Sequence, residues 1–196
     1  NKTQVRNSLN LPTDKKLLLF SSMKITDPKK GIDYLVEACK LIQKNHPDFC
    51  NSLGVVVVGK ESQQYADLFP FPIYCLNYVG NEKDLVNIYN AVDLFVTPSL
   101  QENLPNTIVE AMSCGVPCVG FNIGGIPQMI DHLHNGYVAQ YKSSEDLANG
   151  ICWSLNEGDY ASLSEEARRK AVETYSEQNV AMKYIKIYNH ITGENA

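Results

Sequence analysis

No stretch of this 196-residue chain approaches the roughly 18–20 consecutive apolar residues of a membrane-spanning helix. The longest apolar run, Leu53–Val58, has the length of a strand. Basic residues are missing from a long stretch as well: no Lys or Arg lies between Lys83 and Lys142. The net charge is −5, so bulk electrostatics do not recruit nucleic acid or an anionic membrane. The imbalance is local. Residues 1–48 hold nine Lys/Arg against five Asp/Glu, and the remainder hold eight against seventeen. An anion bound by the middle of the chain must therefore use backbone N–H groups, or Lys side chains lent by the first quarter.

Cysteine is too sparse for a disulfide scaffold. Cys39, Cys50, Cys75, Cys114, Cys118 and Cys152 sit singly in apolar stretches, with no C-x-x-C pair. They read as buried, reduced thiols of a cytosolic protein. The chain opens on Asn1 rather than Met and carries no signal-peptide pattern, so it reads as a piece of something longer. There is no G-x-G-x-x-G after the first strand, which disfavours a dinucleotide cofactor. Gly59-Lys60 lacks a preceding Walker loop and is followed by Glu61, which disfavours a P-loop NTPase. A G-x-S-x-G elbow is missing too. His132 and His134 form a lone H-x-H, and no metal-ligand spacing accompanies it.

What is present alternates between short β-rich runs and helical periods. Strands are expected at Leu17–Ser21, Leu53–Val58, Ile73–Val79, Asp93–Thr97, Pro117–Phe121 and Gly136–Gln140. Helices are expected at Gly31–His46, from the Asn81 cap to Ala91, at Pro105–Cys114, from Ser143/Ser144 to Asn156, at Asp159–Thr174 and at Glu177–Ile191. A short helix should follow the turn at Asn122–Gly125. This order predicts an α/β, Rossmann-like, doubly wound parallel sheet with helices on both faces. With no repeat, low-complexity stretch or linker, residues 1–196 read as one domain with a helical C-terminal tail.

In such a sheet, ligands bind outside the carboxyl ends of the strands. The loops there are Ser21–Lys30, Gly59–Glu61, Gly80–Asn81, Pro98–Asn106 and Asn122–Pro127. The strongest feature is Ser99–Gly115, in which Glu102 and Glu110 are separated by seven residues. Between them, the first N–H groups of a helix around Asn106–Ile108 have no intrahelical partner and lie at the positive end of its dipole. A phosphate fits there without Lys or Arg. A carboxylate one turn further on can accept hydrogen bonds from both hydroxyls of a ribose. The bland alternative is that Glu110 suits the N-terminal half of a helix and Glu102 is a solvated loop charge. The residues alone leave both open.

This segment resembles the E-x7-E region of the retaining glycosyltransferases of family 4, which have the GT-B fold. Other pieces follow in the family's order: Lys30-Gly31 opening a helix, Val55–Gly59, the "YVG" strand end Tyr78–Gly80, and Leu85–Pro98 in an "lY..AD.fv.PS" pattern. Then come Glu102–Gly115, Gly124-Gly125-Ile126-Pro127, Asn135-Gly136 and a final helix with Tyr188. The resemblance covers nearly the whole chain and corresponds to the C-terminal, donor-binding half of such an enzyme. It implies transfer of a sugar, with retention, from a nucleoside diphosphate sugar to a saccharide or lipid-linked acceptor. The acceptor would be held by an N-terminal domain not in this chain.

The resemblance also implies roles. Glu110 would hold the ribose, and Glu102 would contact the donor sugar near the reacting carbon. The backbone of Asn103, Leu104, Pro105, Asn106 and Thr107 would line the sugar and diphosphate. Lys30, with Lys24, would neutralise the diphosphate. The strand end Tyr78–Asn81, with Gly80 and Asn81, would contact the base, and Gly59 belongs to the same edge. No cofactor and no metal are implied beyond the donor substrate, and the enzyme is expected to be cytoplasmic, either free or membrane-peripheral. Three departures stand out. Ser21-Ser22-Met23-Lys24 replaces the family's Gly-Arg, and an ammonium is not a bidentate guanidinium. Asn103-Leu104-Pro105 replaces Gly-Phe-Gly, and Gln128 replaces a Glu. The rival readings are a nucleotide-sugar 2-epimerase of the same fold, a non-catalytic nucleotide-sugar module and a simple interaction domain.

Overall fold

Alternation along the apolar runs decides the architecture. In the first strand Leu18 and Phe20 point to one face and Leu17 and Leu19 to the other, and all four are buried. A strand buried on both faces needs helices on both sides. The computed structural model, which describes residues 1–192, has that arrangement. Six strands, β1 (Lys16–Lys24), β2 (Leu53–Lys60), β3 (Ile73–Leu76), β4 (Leu94–Thr97), β5 (Cys118–Phe121) and β6 (Gly136–Ala139), form one parallel sheet ordered β3-β2-β1-β4-β5-β6. The order reverses between β1 and β4, the point at which a doubly wound sheet opens a crevice.

On one face lie α2 (Ile32–Asn45) and α7 (Ser144–Cys152), packed on Leu18, Phe20, Val55, Val57 and Val119. On the other lie α4 (Glu82–Ala91), α5 (Asn106–Ser113) and α8 (Tyr160–Tyr175), packed on Leu17, Leu19, Val56, Val58 and Phe95. The short helices α3 (Pro47–Cys50) and α6 (Ile126–Met129) complete these layers. The expected helix to Asn156 is α7 continued by one wide π turn, Trp153–Glu157, closed by the Gly158 N–H on the Trp153 carbonyl at 2.7 Å.

Two differences from the sequence reading have local causes. The third strand ends at Leu76 rather than Val79. β3 is an edge strand with β2 as its one neighbour, and its pairing ends at Val58↔Leu76, so Asn77–Val79 have no second strand to hold them in the sheet. An unexpected helix, α1 (Lys2–Ser8), precedes β1. It is held by Arg6, which is buried and donates to Asp93 Oδ2 at 2.6 Å, to the Ala91 carbonyl at 2.7 Å and to the Lys15 carbonyl at 2.8 Å. The last helix, α9 (Glu177–Thr192), has no buried residue and exposes Met182, Tyr184, Ile185, Ile187, Tyr188 and Ile191. All six cysteines are free thiols. Among the described residues, no helix is long and apolar enough to cross a membrane.

Candidate functional site

The loops after β1 and β4 are stitched together where the strand order reverses. Asp27 accepts from the Lys29 N–H at 3.0 Å and starts a tight turn, Pro28–Lys30. Gly31 ends that turn with φ +69°, and a Cβ there would fall 2.0 Å from the Pro98 carbonyl oxygen. Only glycine lets the turn lie so close to the end of β4. The Leu100 N–H then donates to the Lys29 carbonyl at 2.7 Å. The consequence is that Lys30 stands over the next loop, with Nζ donating to Glu102 Oε1 at 2.6 Å.

The Glu102 loop has its own backing. Gly124 has φ +55°, and a Cβ there would lie 1.9 Å from the Glu102 carbonyl oxygen. The Gly125 N–H donates to the Asn103 carbonyl at 2.6 Å. The expected Gly124-Gly125 turn is thus a support for the Glu102 loop. Pro105 precedes α5, and no side chain caps that helix, so its first N–H groups face outward. One turn on, Glu110 accepts from the Tyr89 hydroxyl at its Oε2, 2.9 Å away.

These groups line one cleft of about 520 Å³. Lys24, Lys30, Glu102, Pro105, Asn106, Thr107 and Glu110 are all on its wall, together with Tyr78 and Val79. Five of the expected residues lie off it. Leu104 is half-exposed and rests against Gly125, with Asn103 beside it at the surface. Asn81 caps α4, accepting from the Asp84 N–H at 2.9 Å, and Gly80 precedes it on the surface. Gly59 is buried where β2 meets β1: a Cβ there would lie 1.9 Å from the Ser22 carbonyl oxygen. Lys24 is at the rim, 3.7 Å from Glu61, and Glu61 also accepts from the Thr26 hydroxyl.

Several wall residues were not singled out from the sequence. Tyr89 lies with Ile88 on the buried face of α4. Its signal is that a fully buried Tyr needs a partner for its hydroxyl. Burial, and then the Glu110 carboxylate, push that phenol well above its ordinary range. Thr97 and Ser99 are buried and share a hydrogen bond at 3.3 Å at the end of β4. Among the described residues, no group of three or more His, Cys, Asp or Glu could hold a metal ion.

The family model for "Glycosyl transferases group 1" matches residues 14–157, which include every strand and all of these cleft side chains. The chain belongs to the group 1 glycosyl transferases. It is 27% identical over 164 residues to a Campylobacter jejuni N,N'-diacetylbacillosaminyl-diphospho-undecaprenol alpha-1,3-N-acetylgalactosaminyltransferase, covering 83% of this chain and 42% of that one. It superposes on Anabaena HepE in complex with UDP-glucose at a TM-score of 0.75, with 21% identity, covering 96% of this chain and 52% of that one. The C-terminal domain of a group 1 glycosyl transferase family protein (LpcC) from Francisella tularensis superposes at 0.74 with 19% identity, covering 91% and 94% of the two chains. These superpositions establish a GT-B-type fold. The group 1 chain described here spans less than half the length of the curated relatives it matches.

Proposed function

We propose that this chain is the donor-binding domain of a retaining, metal-independent glycosyltransferase that uses no cofactor beyond its nucleoside diphosphate sugar. The observation that carries the reading is the convergence, in one cleft at the reversal of strand order, of three elements: the Lys30–Glu102 pair, the uncapped start of α5, and Glu110. The N–H groups of Asn106 and Thr107 and the Lys30 ammonium would hold the diphosphate. Glu110 would accept the ribose hydroxyls, and Glu102 would accept a hydroxyl of the donor sugar. Tyr78 and Val79 would face the base, with Gly80 and Asn81 behind them and Gly59 letting β1 and β2 close together.

Cleavage of the bond between the sugar and the diphosphate builds negative charge on the departing phosphate. A fixed cation and helix N–H groups aimed at that position stabilise it without acid–base work. The Lys30 charge rests on Glu102, so neither semi-buried charge is left uncompensated. A bound diphosphate would draw the ammonium across and free Glu102 to accept from the sugar. Lys24, at the rim, would add charge where the family carries Arg.

An N-terminal domain outside this chain would supply the saccharide or lipid-linked acceptor. The greater length of the relatives, the lipid-linked substrate in the printed name of the Campylobacter relative, and the apolar surface of α9 support this part. Six reduced thiols fit a cytoplasmic setting, free or membrane-peripheral. The test is titration calorimetry of the chain with UDP, GDP, ADP and their sugar conjugates. One nucleotide series should bind, and Lys30→Ala should weaken the diphosphate far more than the matching nucleoside. Equal losses for both ligands would remove Lys30 from the diphosphate.

A further inference from the structure

The cleft contains one contact that the roles above leave unused. Tyr89 is 1% exposed, yet its hydroxyl reaches the cleft wall and donates to Glu110 Oε2 at 2.9 Å. The Tyr89 hydroxyl oxygen also lies 3.4 Å from the Thr107 carbonyl, in the first turn of α5. Its ring stands edge-on to Phe95 of β4, with centroids 6.1 Å apart. The hydroxyl is therefore carried on α4, steadied by β4, and directed at the start of α5.

We propose that Tyr89 is a positioning residue for Glu110: its buried hydroxyl holds the carboxylate in the orientation in which it accepts the nucleotide's ribose diol. This rests on the reading of Glu110 as the ribose ligand. A glutamate has three side-chain rotors, and a ligand that must order them loses affinity in doing so. The phenol orders them beforehand. It occupies Oε2, while Oε1 has no hydrogen-bond partner among the described residues and is left to the diol. Burial and the neighbouring carboxylate keep the phenol protonated, so it remains a donor and has no acid role. The arrangement spans two helices. Glu110 belongs to the element that also presents the phosphate-binding N–H groups, and α4 sets the angle between the two subsites.

The experiment is titration calorimetry of the 196-residue chain with UDP, GDP and ADP, each beside its 2′-deoxy counterpart, with inorganic pyrophosphate as the ribose-free probe. Wild type should prefer the ribonucleotide. Tyr89→Phe should weaken the ribonucleotide roughly threefold to tenfold, the scale of one ordinary hydrogen bond, because the phenol acts through the carboxylate and not on the ligand. It should weaken the 2′-deoxy form, which keeps the 3′-hydroxyl, by less, leave pyrophosphate within about twofold, and so reduce the preference. The double variant Tyr89→Phe/Glu110→Gln should bind no more weakly than Glu110→Gln alone, because both remove the same oriented carboxylate. Glu110→Asp, which withdraws the carboxylate from an intact Tyr89, should lose the preference too and serves if Tyr89→Phe fails to fold. A Tyr89→Phe chain with the wild-type preference, or losses that multiply in the double variant, would overturn the proposal. If Glu110→Gln itself keeps the preference, or no nucleotide binds, the reading of Glu110 has failed and the positioning role falls with it.

Discussion

Lys30 and Glu102 meet at 2.6 Å, and that pairing changes what each substitution should do. On the proposed roles, Glu110→Gln removes an oxygen that would accept from the ribose and should weaken a nucleoside diphosphate roughly tenfold, as expected for a hydrogen bond to a charged group. Glu102→Gln releases Lys30 from its counter-charge. Its affinity for the bare diphosphate should hold or rise slightly, while the sugar-bearing donor binds more weakly. Lys30→Ala leaves the Glu102 carboxylate uncompensated beside two phosphates and should be the most harmful of the three. Calorimetry with the diphosphate and its sugar conjugate checks all of this at once. If Glu102→Gln harms the bare nucleotide as much as Glu110→Gln does, the two roles are misassigned. Lys29, which is exposed, should be near neutral on substitution to Ala.

At the scale of elements, the site depends on one turn lying against one strand. Gly31→Ala places a Cβ 2.0 Å from the Pro98 oxygen at φ +69°. Backbone strain of this kind costs about 1–3 kcal/mol before the clash is counted. For a domain of this size it should lower Tm by roughly 4–8 °C per 2 kcal/mol. It should also weaken nucleotide binding, because Lys30 moves with the turn. An unchanged melting curve would mean that the two loops are not in contact. Asp93→Asn tests the other edge of the sheet. Asp93 accepts from Arg6, Lys2 and the Leu17 N–H, so neutralising it strands a buried guanidinium and should cost about 3–5 kcal/mol in urea unfolding. Sequence pattern located the six strands and the long crossover helices, because burial writes itself as apolar runs and periods, but it did not anticipate the short helical turns at Pro47–Cys50 and Ser62–Leu68. It did not show α1, whose anchor is a single Arg reaching 87 residues along the chain to Asp93. The Asn81 cap was expected and is present, but the sequence could not show that Tyr89 presents its hydroxyl to Glu110. That contact depends on rotamers and neighbouring elements rather than on local periodicity. Glu102, Glu110 and Lys30 are singled out through the resemblance; the residues alone leave the bland reading of both glutamates open, because a carboxylate early in a helix or in a loop needs no ligand.

For the whole molecule, the proposed division of labour puts donor binding in this chain and acceptor binding outside it. The isolated 196 residues should then bind a nucleoside diphosphate but transfer no sugar, as followed by release of the nucleotide from its sugar conjugate in the presence of acceptors. Robust transfer would contradict that division. The apolar residues of α9 should become protected from solvent when the chain is joined to its acceptor domain, as read by hydrogen exchange. The central claim is that the crevice between β1 and β4 holds a nucleoside diphosphate on the start of α5. A crystal structure of this chain with the tightest-binding nucleotide tests it most directly. The account predicts phosphate oxygens within hydrogen-bond distance of the Asn106 and Thr107 N–H groups and of Lys30 Nζ, with the ribose hydroxyls on Glu110. A nucleotide seated anywhere else, or with its phosphates turned away from α5, would contradict it.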